Sequence, residues 1–238
     1  MPAVTNKQRV LSQLFHAWKK AGEPMPPENL PVLEQFIYAL CREGTTTEVA
    51  DQAFGKLREF FFDWNEIRVS SQREIEEAFA ELPDPELRAQ RLISFLQEVF
   101  ETTFSFDLES LHKKGLKQAA KQMGRYQASS DFVVAWVTRQ SLGGHAIPVD
   151  APTLRMTRRL GLVEGDQDSV EAARASLEHI VPKARGLAFT EAVSLLAADP
   201  CFEDEPNCPS CPLLSDCPTG QENAQTAVAS SRGRMKPR

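Results

Sequence analysis

An all-α fold is what the sequence predicts, on three observations. Apolar residues recur at three- and four-residue spacing along most of the chain, no segment alternates convincingly with period two, and no Asn-Gly or Asp-Gly pair marks a hairpin. Val10, Leu11, Leu14, Phe15 and Trp18 form the first apolar stripe. Helical stretches are expected next near 31–42, 46–62 and 71–81, and Leu92, Phe95, Leu96, Val99 and Phe100 mark another. The pattern continues over 106–123, 129–141, 151–161, 168–180 and 187–198. Breaks fall at 23–31, where prolines interrupt the pattern, at 82–85, and at 142–148. From Gln221 onward the residues are small, polar and finally basic, so 221–238 reads as a disordered basic tail. The adjacent aromatics Phe60, Phe61, Phe62 and Trp64 cannot share one helix face, and they are expected to pin a helix end between packed neighbours.

At 238 residues the chain accommodates one large or two small domains. With 42% hydrophobic and 25% charged residues, its composition is that of a water-soluble globular protein, and no apolar run reaches the roughly eighteen residues a bilayer span needs. Residues 1–9 are polar and lack the apolar core of a secretory signal, so a cytoplasmic location is expected and no membrane partner is implied. A net charge of −6 argues against indiscriminate coating of nucleic acid. Local basic clusters remain: Lys113, Lys114, Lys117, Lys121 and Arg125; Arg155, Arg158 and Arg159; and Arg232, Arg234, Lys236 and Arg238. Each suits a solvated helix face as well as a phosphate track.

Of five cysteines, four crowd near the C-terminus as Cys201-x6-Cys208-x2-Cys211-x5-Cys217. A disulfide framework is spread more evenly, and thiolates on one short loop are the ligands a compact iron–sulfur cubane requires. Zinc is the competing ligand, but zinc knuckles favour two close pairs, and only Cys208 and Cys211 form one here. Prolines 206, 209, 212 and 218 stiffen the loop, which lowers the entropy lost on closure. A [4Fe-4S] cluster on Cys201, Cys208, Cys211 and Cys217 is therefore expected. Cys41, in an apolar helix, reads as core.

This six-two-five spacing at the end of an all-helical chain resembles the endonuclease III family of base-excision DNA glycosylases. The stretch Ser141-Leu142-Gly143-Gly144-His145-Ala146-Ile147-Pro148-Val149-Asp150, followed by Thr153-Leu154-Arg155, is similar to the family's loop ending in its catalytic aspartate. Residues 36–47 match in placement the helix that bears its DNA-intercalating loop. The resemblance implies two helical domains. One is a six-helix barrel with a helix-hairpin-helix, over 31–147; the other is an iron–sulfur domain built from both chain ends, 1–30 and 148–220. It further implies a monomer acting on damaged double-stranded DNA, with Lys121, Arg125, Ser129 and Ser130 as DNA contacts and Asp150 as the catalytic residue.

Three departures from the family pattern qualify this. The bifunctional members attack C1′ of the sugar with a lysine amine, yet no lysine lies between Lys121 and Lys183; depending on alignment, Phe132 or Ser129 takes its place. A serine there resembles the monofunctional adenine glycosylase branch, whose catalytic glutamate is matched here by Tyr38. The hairpin glycines are absent from Gly124-Arg125-Tyr126-Gln127-Ala128-Ser129-Ser130, which leaves a degenerate hairpin. Finally, the loop Phe202-Glu203-Asp204-Glu205-Pro206-Asn207 is acidic where relatives are basic. The expectation is thus a base-excision protein that is at most a monofunctional N-glycosylase. The alternative is a catalytically inactive [4Fe-4S] module that keeps the fold to bind DNA or protein. Asp150 itself suits either catalysis or a helix N-cap; Tyr38 reads as a buried aromatic, and Glu43, at the intercalating position, as a solvated acid.

Overall fold

A computed structural model of the chain describes residues 6–164 and 169–234, with side chains as far as residue 226. Among the described residues there are α-helices and short 3-10 turns and no strand. The all-helical expectation is met. The chain divides into two compact units, one of Pro24–Asp150 and one of Met1–Glu23 with Ala151–Arg238. The proline-rich stretch expected to close the first segment at residue 30 thus belongs to the central unit, and the second boundary follows Asp150.

Helix α1 (Lys7–Lys20) belongs to the unit made of the chain ends. The central unit then runs through α2 (Val32–Arg42), α3 (Thr47–Phe60), α4 (Trp64–Val69), α5 (Gln72–Ala78), α6 (Pro85–Thr103), α7 (Leu116–Met123) and α8 (Asp131–Gln140). Every residue of α2 except Glu34 is buried, as befits a helix that is apolar almost all round. It packs against α3, α6 and α8. Phe36 stacks on Phe95 of α6 with ring centroids 3.8 Å apart, and the indole of Trp136 in α8 donates to Gln35 Oε1 at 3.0 Å, so the one buried amide of α2 is satisfied. Pro85 opens α6 at a position where its missing N–H costs nothing.

Three local differences have physical causes. The stretch 46–62 is one helix, α3, but without the pinned end expected: α3 stops at Phe60, and Asp63 starts α4 by accepting from the Glu66 amide at 2.8 Å. Phe60 and Phe62 are 50% and 94% exposed rather than packed, while Trp64 reaches Phe54 across 6.2 Å. The stretch 106–123 breaks into a 3-10 turn, Glu109–Lys113, and α7, because Lys114 and Gly115 are extended.

In the other unit, α9 (Ala151–Arg159), α10 (Val170–Ile180) and α11 (Gly186–Ala198) follow, and α11 packs on α1 and α9. The tail expected to be disordered from Gln221 is instead helical, within α12 (Pro218–Arg234), with Pro218 in the first turn and several alanines favouring helix. Lys236 and Arg238 lie outside the described residues. No described helix is long and apolar enough to cross a membrane.

Arg88 of α6 is buried and donates to Pro83 O at 2.6 Å and to the carbonyls of Leu40 and Glu43 at the end of α2. Replacing it, as in Arg88→Met, strands these acceptors and should lower unfolding stability by about 3 kcal/mol or more, measurable by urea denaturation. Burial also pushes the Cys41 thiol up from 9.0 to about 12. The folded thiol then keeps its proton where the unfolded one loses it, so stability should fall as pH rises above 9.0 toward about 12. The slope from this group is at most about 1.4 kcal/mol per pH unit, and Cys41→Ala should remove it from denaturation midpoints compared at neutral and alkaline pH.

Candidate functional site

The central unit places the expected site residues on α7 and around two turns. In the turn between α2 and α3, Gly44 adopts φ +77°, a conformation that favours glycine. Its amide donates to Asp150 Oδ2 at 2.9 Å, across 106 residues of sequence. Arg42, fully buried, reaches Thr47 Oγ1 at 3.3 Å and the Thr45 carbonyl, with its guanidinium 5.7 Å from the centre of the Trp136 ring. Glu43 is not the solvated acid expected from sequence: its carboxylate pairs with Arg91 of α6 at 2.8 Å, and both side chains are four-fifths buried. Tyr38 is fully buried and its hydroxyl donates to Asp51 Oδ1 at 2.7 Å, so it does not stand in for a catalytic glutamate. Burial raises the Asp51 carboxyl, opposed by the Tyr38 hydrogen bond and by Arg42.

The second turn, 124–130, joins α7 to α8. Met123 O accepts from the Tyr126 amide at 3.2 Å and from the Ser129 hydroxyl, and Ser130 Oγ caps α8 by accepting from Val133 N at 3.2 Å. Both serines expected at the DNA thus also build the turn. Tyr126 packs edge-on against Phe36 and Phe95, and Glu98 of α6 accepts the Gln127 amide at 3.2 Å. A hairpin without the glycine signature therefore holds its shape through side chains of α6 and α2. Lys117 and Lys121 lie one turn apart on α7 and Arg125 follows in the turn after it, and all three are exposed.

The four C-terminal cysteines line one cavity together with Pro200, Pro206 and Leu214, and none forms a disulfide. Each sulfur has an N–H donor close by. Arg159 Nη1 lies 3.4 Å from Cys201 Sγ, Asn223 Nδ2 3.5 Å from Cys208 Sγ, and the Gly220 amide 3.3 Å from Cys217 Sγ, while the Leu213 amide bonds to Cys211. Burial pushes the thiols of Cys211 and Cys217 up; the backbone amides pull them down, and the neighbouring sulfurs push them up again. Among the described residues no three His, Cys, Asp or Glu side chains converge on a single ion. A Cβ added at Gly220 would lie 3.2 Å from Leu214 Cδ1 and 3.5 Å from Cys217 Sγ, so the cradle is closely fitted on that side.

Arg155 and Arg159, which sequence alone allowed as a solvated face or a phosphate track, are spent on this loop. Arg155 Nη2 donates to Ala197 O at 3.0 Å and Cys201 O at 3.1 Å, and Arg159 donates to Phe202 O and Glu203 O. From α1, Arg9 pairs with Asp216 at 2.7 Å. The acidic residues 203–205 are exposed.

No family model and no curated protein matches the chain. Solved structures do. A non-covalent endonuclease III–DNA complex is 18% identical with a TM-score of 0.70, and a trapped endonuclease III–DNA covalent intermediate is 18% identical with a TM-score of 0.69; each match covers 93% of this chain and 100% of the other. A thermostable thymine-DNA glycosylase matches at 16% identity and a TM-score of 0.66, over 91% of this chain and 97% of its own. The two-unit helical chain therefore has the fold of endonuclease III and related DNA glycosylases.

Proposed function

We propose that the chain is a monomeric base-excision protein that binds damaged double-stranded DNA and releases a base as a monofunctional N-glycosylase through Asp150, without a Schiff-base lyase step. The observation that carries this reading is Asp150 itself: in a chain with the glycosylase fold, its carboxylate is held by the Gly44 amide, and no lysine lies between Lys121 and Lys183 to form an imine. A carboxylate fixed in this way can stabilise an oxocarbenium-like sugar or orient a water toward C1′, so that the base departs with no covalent enzyme intermediate. The row Lys117, Lys121 and Arg125 supplies cations for phosphate, and the turn at Ser129 and Ser130 supports it.

Cys201, Cys208, Cys211 and Cys217 would hold the [4Fe-4S] cluster. When bound, it supplies four iron–thiolate bonds that tie the loop together and neutralise the buried sulfurs. The gathering of four cysteines around one cavity supports this assignment. Anaerobically purified protein should be brown and contain iron and sulfide in equal amounts, and Cys217→Ser should lose the visible absorbance. Colourless protein containing zinc would refute the cluster.

The catalytic reading is tested by incubating holoprotein with duplexes carrying a panel of damaged bases, then cleaving abasic sites with alkali. Release of at least one base is expected, slowed about 100-fold or more in Asp150→Asn, and borohydride should trap no adduct. Binding should weaken with salt with a log–log slope of roughly −3, one ion for each of the three exposed cations. Binding without release from any lesion would leave a DNA-binding module, and a slope near zero would point to protein partners instead.

A further inference from the structure

Helix α6 sends one side chain to both turns of the candidate DNA surface. Arg91 Nη1 donates to Glu43 Oε2 at 2.8 Å, while its Nε and Nη2 both donate to Ala128 O, at 3.0 and 2.7 Å. Glu43 precedes Gly44, whose amide holds Asp150. Ala128 is the fully buried residue at the centre of the hairpin turn. Side chains elsewhere on the helix grip one turn each: Arg88 holds the carbonyls at the end of α2, and Glu98 holds the Gln127 amide.

We propose that Arg91 is a positioning residue that locks the α2–α3 turn to the α7–α8 hairpin turn, so that phosphate contacts at the hairpin and the carboxylate of Asp150 are held in one register. The inference rests on the DNA reading given above. Its physics lies in the guanidinium, a planar fork with several N–H groups in fixed directions, which can grip a carboxylate with one edge and a carbonyl with the other. A lysine ammonium, a single point donor, can hold Glu43 but cannot also give Ala128 O two bonds from the same place. Because Arg91 and Glu43 are four-fifths buried, the pair is less screened than a surface ion pair. Removing Arg91 leaves a buried carbonyl on the hairpin side and a buried carboxylate on the other.

The test compares wild type with R91A, R91K and E43Q. Amide hydrogen exchange at Gly44 and Ser129 reports on the two turns, and affinity for a duplex carrying an abasic-site analogue reports on function. R91A should speed exchange at both amides by about tenfold or more and weaken binding by about tenfold. R91K should protect Gly44 but not Ser129, and E43Q should release Gly44 but not Ser129. General destabilisation would move all variants in proportion to their thermal midpoints and would not produce this split. Exchange that changes in only one turn of R91A, or R91K indistinguishable from wild type in both exchange and affinity, overturns the proposal. Wild-type protein that fails to bind the duplex overturns the DNA reading together with the functional half of the inference, while exchange still decides whether the two turns are tied.

Discussion

A buried guanidinium on α6 governs how the central unit presents its turns. The last carbonyls of α2 have no partner within the helix and lie in the interior, where an unbonded acceptor is costly. Arg88 supplies the donors, and although burial works against its charge, nearby Glu43 favours it. With the end of α2 fixed, Gly44 turns the chain in a conformation that a side chain would strain, and its amide meets Asp150. Arg42 then secures Thr45 and Thr47 from the other side. A loop bounded in this way is pre-organised: the carboxylate at residue 150 keeps its place because its anchor does.

The cysteine unit solves a related problem with little regular structure. Its loop advances through two 3-10 turns, Cys208–Ser210 and Leu214–Asp216, whose backbone bonds aim the sulfurs into the cavity. Arg155 and Arg159 bind loop carbonyls from α9, and Arg9 binds Asp216 from α1, so both chain ends contribute to holding the cysteine loop in place. This use of arginine also shapes the electrostatics. With those cations occupied by the loop and residues 203–205 exposed and acidic, the cysteine loop is poorly suited to phosphate, whereas the stretch 111–125 carries five cations and no acidic residue. At a net charge of −6, any attraction to DNA would be local and short-ranged.

Helix placement was largely legible from apolar spacing, because most of the long helices bury one face and the period-3.6 signal is strong over ten or more residues. The convergence of the four cysteines on one cavity was legible for a different reason, since their spacing is a local property of the chain. What could not be read was the work of the arginines. Arg88, Arg91, Arg155 and Arg159 bind backbone carbonyls or a carboxylate more than thirty residues away, and a carbonyl carries no sequence signature. The fate of Phe60 and Phe62 was hidden as well. Their exposure depends on where Asp63 starts the short α4, and a six-residue helix is too brief to show a period.

The side chains that could replace a catalytic amine are already committed. Phe132 is buried, the Ser129 hydroxyl is bonded to Met123 O, and Ser130 caps α8, so neither aligned position offers a nucleophile to the sugar. Tyr38, at the glutamate position, is buried against Asp51. Under the proposed glycosylase reading the chemistry falls to Asp150, and its carboxylate is tethered to a turn that arginines hold on both sides. In that reading a rigidly placed anion cannot travel to find its substrate, and the deoxyribose would have to be brought to it by contacts made elsewhere on the same unit. That requirement would make the register between the hairpin and the α2–α3 turn a condition for the proposed catalysis rather than an incidental feature of packing.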